Sequence, residues 1–248
     1  MPSPYMIFVA GLTGSGKTTL LEKTVKYLKL NDYVKVILDE CVEENQEYKK
    51  KVAKILNNMR KNNFEITENT YTEFQKAYFD VRTKYCDTMV DNIVVDNVRK
   101  KKNIIVETQG LKYHDYIKFY GDRYKIILAY SLVDFFKIIK RNEDRFMAQV
   151  KKFYQGGSPP RLPDVRYDKG GQFEQKFRGL RNIILRIMAE DCFNLKNRNF
   201  CGNHKLFKLL LFDNNGKEMK LVADINKENN MTPSEVSMIL DTYMKFPY

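Results

Sequence analysis

The 248-residue chain has no tryptophan, two histidines, four cysteines and seven prolines, and most of these scarcities close off a kind of chemistry. With only His114 and His204, a triad built on imidazole or a His-based zinc site has little to draw on. Cys41, Cys86, Cys192 and Cys201 show no CxxC spacing, so no disulfide framework is expected and the thiols read as buried or idle. No apolar run approaches the roughly 20 residues that cross a bilayer. The early stretch Tyr5 to Ala10 has neither a basic leader nor a small-residue cleavage site, so a cytoplasmic protein is expected. Acidic residues are also in deficit: 43 Lys plus Arg against 31 Asp plus Glu leave a formal charge of +12. That balance favours anionic partners such as nucleotides, nucleic acid or an acidic membrane surface, without choosing among them.

Against these absences, 43% hydrophobic residues can fill a sizeable core, which excludes wholesale disorder. Short β-branched runs alternate with amphipathic stretches, the pattern of an α/β fold: a mostly parallel sheet with helices on both faces, a three-layer sandwich. Strands are expected at Met6 to Ala10, Val34 to Leu38, Asn103 to Glu107, Tyr124 to Tyr130 and Leu206 to Phe212. Helices are expected at Lys17 to Leu28, Lys50 to Lys61, Tyr71 to Lys101, Val133 to Tyr154 and Phe173 to Asn194. A last helix over Thr232 to Lys245 opens on a capping signature, Thr232 before Pro233 with Glu235 three residues on. The Gly- and Pro-rich stretch at about 155–171 carries Arg161 and Arg166 and reads as a lid within one domain spanning 1–248.

The strongest signal is Gly11-Leu-Thr13-Gly14-Ser15-Gly16-Lys17-Thr18, a complete Walker A match that follows an apolar strand, opens a helix and runs on into Thr19. Phosphate needs converging backbone N–H groups, and glycines let the chain turn tightly without a Cβ in the way. The helix N-terminus adds its dipole. Lys17 is expected to reach the β/γ-phosphates of ATP or GTP, and the Thr18 hydroxyl to hold Mg2+.

Ligands in open α/β sheets sit beyond the carboxyl ends of the strands, and two expected strands deliver carboxylates there. Asp39 is placed to accept the proton of an attacking hydroxyl, with Glu40 second; the alternative is that Asp39 caps a turn. Glu107, followed by Thr108, is a substrate-side or Mg2+-ordering candidate, or else a carboxylate satisfied by loop amides. Arg141 and Arg145, four apart on one helical face, and Arg161 in the lid are candidates for stabilising charge on the transferred group. The first two could instead pair with surface acids.

With these residues in place the chain resembles the zeta-toxin family of P-loop kinases, in order and spacing from about Met6 to Asn214. The phosphate loop is the shared part; the stretch from Val34 through Asp39 to Tyr48 is similar to the family's strand, basal aspartate and tyrosine-bearing segment. Val42 and Asn45-Gln46 depart from the family's usual Arg and His-Pro. Gly121 to Leu128, the Arg141/Arg145 pair, the lid and Leu211-Phe-Asp213-Asn214 extend the likeness. The resemblance implies an aspartate general base at Asp39 and a hydroxyl acceptor, which in bacterial members is a UDP-linked amino sugar.

The resulting expectation is an ATP- and Mg2+-dependent phosphotransferase acting on a small, nucleotide-like acceptor, with room for an inhibitory protein partner. A nucleoside or nucleoside-monophosphate kinase shares the loop, the carboxylate and the lid. A nucleic-acid-binding P-loop protein or polynucleotide kinase is the reading favoured by Lys49 to Lys51 and Arg99 to Lys102, though such runs are more often solvated helix faces.

Overall fold

Tyr5–Ala10 forms β1, and every residue from Met6 to Ala10 is at most 2% exposed in the computed structural model of the chain. Residues 3–60, 67–110, 113–157, 160, 172–190 and 206–246 are described. In order, the elements after β1 are α1 (Lys17–Leu28), β2 (Val34–Val36), α2 (Leu38–Glu44), α3 (Gln46–Arg60) and α4 (Glu68–Val81). A π-helical turn (Arg82–Cys86) then leads into α5 (Asp87–Arg99), β3 (Ile104–Thr108), α6 (Tyr113–Tyr120), β4 (Lys125–Leu132) and α7 (Phe135–Phe153). The last elements are α8 (Gln172–Ala189), β5 (Leu206–Asp213), β6 (Lys220–Ile225) and α9 (Pro233–Tyr243).

The chain divides into two compact units, one of Met1–Val36, Asp96–Ile138 and Glu174–Tyr248, the other of Ile37–Val95 and Ile139–Phe173. The first unit holds a six-stranded sheet in the order β2-β3-β1-β4-β5-β6, parallel except for β6, which runs antiparallel to β5. Side chains alternate between faces along a strand, yet β1 and β4 are buried at nearly every position, so both faces of the sheet are covered. Ala10 is in register with Thr108, the last residue of β3, on one side and with Tyr130 on the other, where β4 runs on to Leu132, at the point where the strand order reverses.

The expected strand Val34 to Leu38 is shorter than the periodicity suggests. It pairs with β3 only over Val34–Val36, and Ile37 is already the extended residue that opens α2. Asp39 therefore lies in the first helical turn rather than at a strand end, where, with Glu40, its charge complements the helix dipole. The short helices α2 and α6, too brief to establish a helical period, and the edge strand β6 escaped the sequence pattern.

The second unit is helical. Val42, Tyr48, Val52, Leu56, Phe74, Val81, Cys86 and Phe146 are among its buried core, with the Phe74 and Phe146 rings edge to face at 5.7 Å. Asn45 accepts from the backbone N–H of Glu47 at 2.8 Å and so caps α3. The long helix expected over Tyr71 to Lys101 is realised as α4, the π turn and α5. The core uses Val81 and then Cys86, five residues on; an α-helix would turn these to different faces, and the wider π turn brings both inward.

Candidate functional site

The phosphate loop is gripped by the sheet on which it sits. The Ser15 carbonyl accepts from Ser131 Oγ at 2.6 Å, at the end of β4, and from Asn214 Nδ2 at 2.8 Å, just after β5. Gly11 N–H donates to the Thr108 carbonyl at 3.3 Å. Gly16 is the N-cap of α1 at φ 85°, a left-handed conformation natural to glycine, and a Cβ there would lie 2.4 Å from Asn214 Nδ2. Gly14 is also left-handed.

The first turn of α1 holds no acidic residue of its own to answer the positive end of its dipole. Thr18 and Thr19 are exposed there, Thr13 is half-buried, and Ser15 Oγ is buried with no hydrogen-bond partner among the described residues. This is a cradle suited to an anion. Lys17 Nζ sits 3.4 Å from Glu107 Oε1, with the two side chains 12% and 6% exposed. Thr108 Oγ1 accepts from Gly110 N–H at 3.2 Å, helping to close the turn after β3.

In the helical unit, the Tyr78 hydroxyl donates to Asp39 Oδ1. Burial, followed by the charge of Asp39 and the hydrogen bond to it, pushes the Tyr78 phenol well above its usual range, so it remains a proton donor. Glu40 is exposed. Tyr48 is wholly buried; its ring meets that of Tyr78 edge-on at 6.3 Å and its hydroxyl donates to the Pro160 carbonyl at 3.2 Å. Arg145 Nη2 donates to Asn142 Oδ1 at 2.8 Å, and Asn142 is fully buried. Arg141 is half-buried one turn earlier on α7. Arg161 and nearly all of the expected lid lie outside the described residues.

The expectation of idle thiols fails at Cys41 and Cys86, which form a disulfide with Cα atoms 5.9 Å apart. Forty-five residues separate them in sequence, and only the packing of α2 against the π turn brings them together. Cys192 and Cys201 lie outside the described residues. The Lys-rich runs are partly neutralised: Lys51 pairs with Asp80 at 3.0 Å and Glu47 at 3.1 Å, Lys102 with Asp32 at 2.9 Å and Arg99 with Asp96 at 3.6 Å.

No group of three or more His, Cys, Asp or Glu that could cage a metal occurs among the described residues. A Mg2+ ion carried in on nucleotide phosphates needs no such cage, and the exposed Thr18 hydroxyl at the start of α1 fits that mode of binding. The sequence offers the loop, Asp39 and Glu107 as candidates but gives no sign of Ser131, which donates to the Ser15 carbonyl, or of Tyr78, which donates to Asp39. Nothing in a lone serine within an apolar strand, or in a tyrosine at helical spacing, marks either one.

Residues 1–122 match the family model of the Zeta toxin family. No curated protein matches the sequence. A solved structure from the PezAT chromosomal toxin–antitoxin system of Streptococcus pneumoniae is similar over 100% of this chain and 80% of its own, with 13% identity and a TM-score of 0.55. A crystal structure of a candidate kinase from Chloroflexus aurantiacus is similar over 65% of this chain and 84% of its own, with 13% identity, but its TM-score of 0.36 is too low to speak for a shared fold. Residues 1–122 are thus similar to the Zeta toxin family, and the α/β sheet with its phosphate loop shares its fold with the streptococcal structure.

Proposed function

We propose that the protein is an ATP- and Mg2+-dependent phosphotransferase that moves the γ-phosphoryl group to a hydroxyl of a small, nucleotide-like acceptor such as a UDP-sugar. The observation that carries this reading is the clamped phosphate loop with Lys17 at its helix end. Backbone N–H groups of Gly11 to Thr19 and the Lys17 ammonium bind the β/γ-phosphates, with GTP as the alternative donor. Mg2+ held by Thr18 would neutralise charge on those phosphates.

Asp39 accepts the acceptor's proton as the hydroxyl oxygen bonds to the γ-phosphorus and the bond to the β–γ bridging oxygen breaks, releasing the nucleoside diphosphate. Glu40, Glu107 and Thr108 orient the acceptor, and Arg141, Arg145 and Arg161 supply cations to the transferred group. Glu107 gives up its contact with Lys17 when phosphate provides the stronger counter-charge. An inhibitory protein partner belongs to the same proposal, since the similar streptococcal structure comes from a toxin–antitoxin system.

The test is incubation with labelled ATP, Mg2+ and a panel of nucleosides, nucleotides and UDP-sugars. Transfer of label to one class of acceptor is the expected result. ATP consumed equally with and without every acceptor would leave only a hydrolase.

A further inference from the structure

Asp39 stands in the first turn of a seven-residue helix whose N-cap, Ile37, has no side chain able to cap it. An aspartate in that position has two competing uses. It can fold back onto the amides of its own helix, as a cap does, or it can hold its carboxylate outward for chemistry. From outside the helix, the Tyr78 hydroxyl on α4 donates to Oδ1 and so favours the second use.

Tyr78 is itself well fixed. Its ring packs edge-on against Tyr48 at 6.3 Å and against Phe79 at 5.5 Å. Eight residues further along the same helical run, Cys86 is bonded to Cys41, two residues after Asp39. Two ties, one covalent and one a charge-assisted hydrogen bond, therefore hold α2 to the helix opposite at successive levels. Because burial and the neighbouring carboxylate keep the phenol protonated, Tyr78 donates to Asp39 and does not compete with it for a proton.

We propose that Tyr78 is a positioning residue for phosphoryl transfer, holding the Asp39 carboxylate in the orientation from which it accepts the proton of the acceptor hydroxyl. This rests on Asp39 being the general base. Tyr78 touches neither substrate nor nucleotide in this role and acts only through Asp39. Its hydroxyl therefore matters to the rate of transfer and not to the grip on nucleotide.

The test is Tyr78→Phe, which keeps the ring and its packing, measured beside Asp39→Asn and the double variant. Tyr78→Phe is expected to lower kcat at least about tenfold, the order of loss that follows slight misplacement of a reacting group. KM for ATP should hold, and the double variant should be no slower than Asp39→Asn. A purely structural hydroxyl would lower stability without this split. Wild-type kcat in Tyr78→Phe, with Asp39→Asn inactive, overturns the role of Tyr78 and leaves the base intact. Full transfer by Asp39→Asn overturns the base and this inference with it. A further loss in the double variant places Tyr78's effect elsewhere and also overturns it. Should Tyr78→Phe not fold, fluorotyrosine introduced at position 78 alters donor strength at nearly constant size. A changed kcat at constant KM then supports the role, and an unchanged kcat refutes it.

Discussion

Lys17 Nζ lies 3.4 Å from Glu107 Oε1, so the cation of the phosphate loop is held by the acid at the end of β3, with both side chains nearly out of solvent. A pair so placed is stable only while both members are present, because removing one leaves the other's charge buried without compensation.

Lys17→Met should therefore cost folding stability as well as nucleotide binding. About 3 kcal/mol is expected for breaking such a pair from one side. Adding Glu107→Gln should restore part of that stability without restoring affinity for ATP. Urea unfolding of the single and double variants, with calorimetric titration of ATP and Mg2+, separates the two effects. A double variant no more stable than Lys17→Met would show that the pair does not govern stability here.

Asn214 and Ser131 each donate to the Ser15 carbonyl. Asn214→Ala should cost about 1 kcal/mol of stability, the usual net worth of one hydrogen bond, and should weaken ATP binding by loosening the loop. Ser131→Ala removes the other donor and should act in the same direction. Unchanged ATP affinity in both variants would mean that the loop keeps its shape without the clamp.

The Cys41–Cys86 bond closes a loop of 45 residues, for which the chain-entropy argument gives up to about 4 kcal/mol of stabilisation. A dithiol reductant should lower the urea midpoint of the wild-type protein. The Cys41→Ser/Cys86→Ser variant should start lower and not respond. Equal responses of the two proteins to reductant would locate the sensitivity at other cysteines.

Glu47 accepts from the Tyr85 hydroxyl at 2.8 Å and pairs with Lys51 and Lys84. The Tyr85 hydrogen bond first, and then Lys51, lower its pKa from 4.5 to about 2. A carboxyl whose pKa is lower in the folded state stabilises it above the unfolded value, and that contribution disappears as pH falls through the folded one. The wild-type urea midpoint should thus fall more steeply than that of Glu47→Gln between about pH 4.5 and pH 2. The difference should be small, because Glu47 is exposed to solvent screening. Parallel curves would remove Glu47 from the acid response.

The legible parts of the fold were those whose signal is local. β1 and β4 read as apolar runs because they are covered on both faces, and α1 and α7 read as helices because each carries a sustained apolar stripe. Thr232, Pro233 and Glu235 announced α9, which forms with the capping box that they suggest. Ile37 and Leu38 continue the apolar run of β2 in sequence but not in structure; whether such residues extend a strand depends on a partner, and β3 pairs only as far as Val36.

The order of residues along the chain was enough to determine the phosphate loop, since eight consecutive positions suffice to shape a turn and a helix start. It also singled out Asp39 and Glu107 as the acids nearest the strand ends. Only the tertiary structure decided what those acids touch: Glu107 meets Lys17 across adjacent strands, and Asp39 meets Tyr78 across two helices. It alone decided that Cys41 and Cys86 are bonded. The physical reason is distance along the chain. Contacts between residues 39 and 78, 41 and 86, or 15 and 214 depend on how helices and strands pack, and no local pattern of side chains encodes that packing.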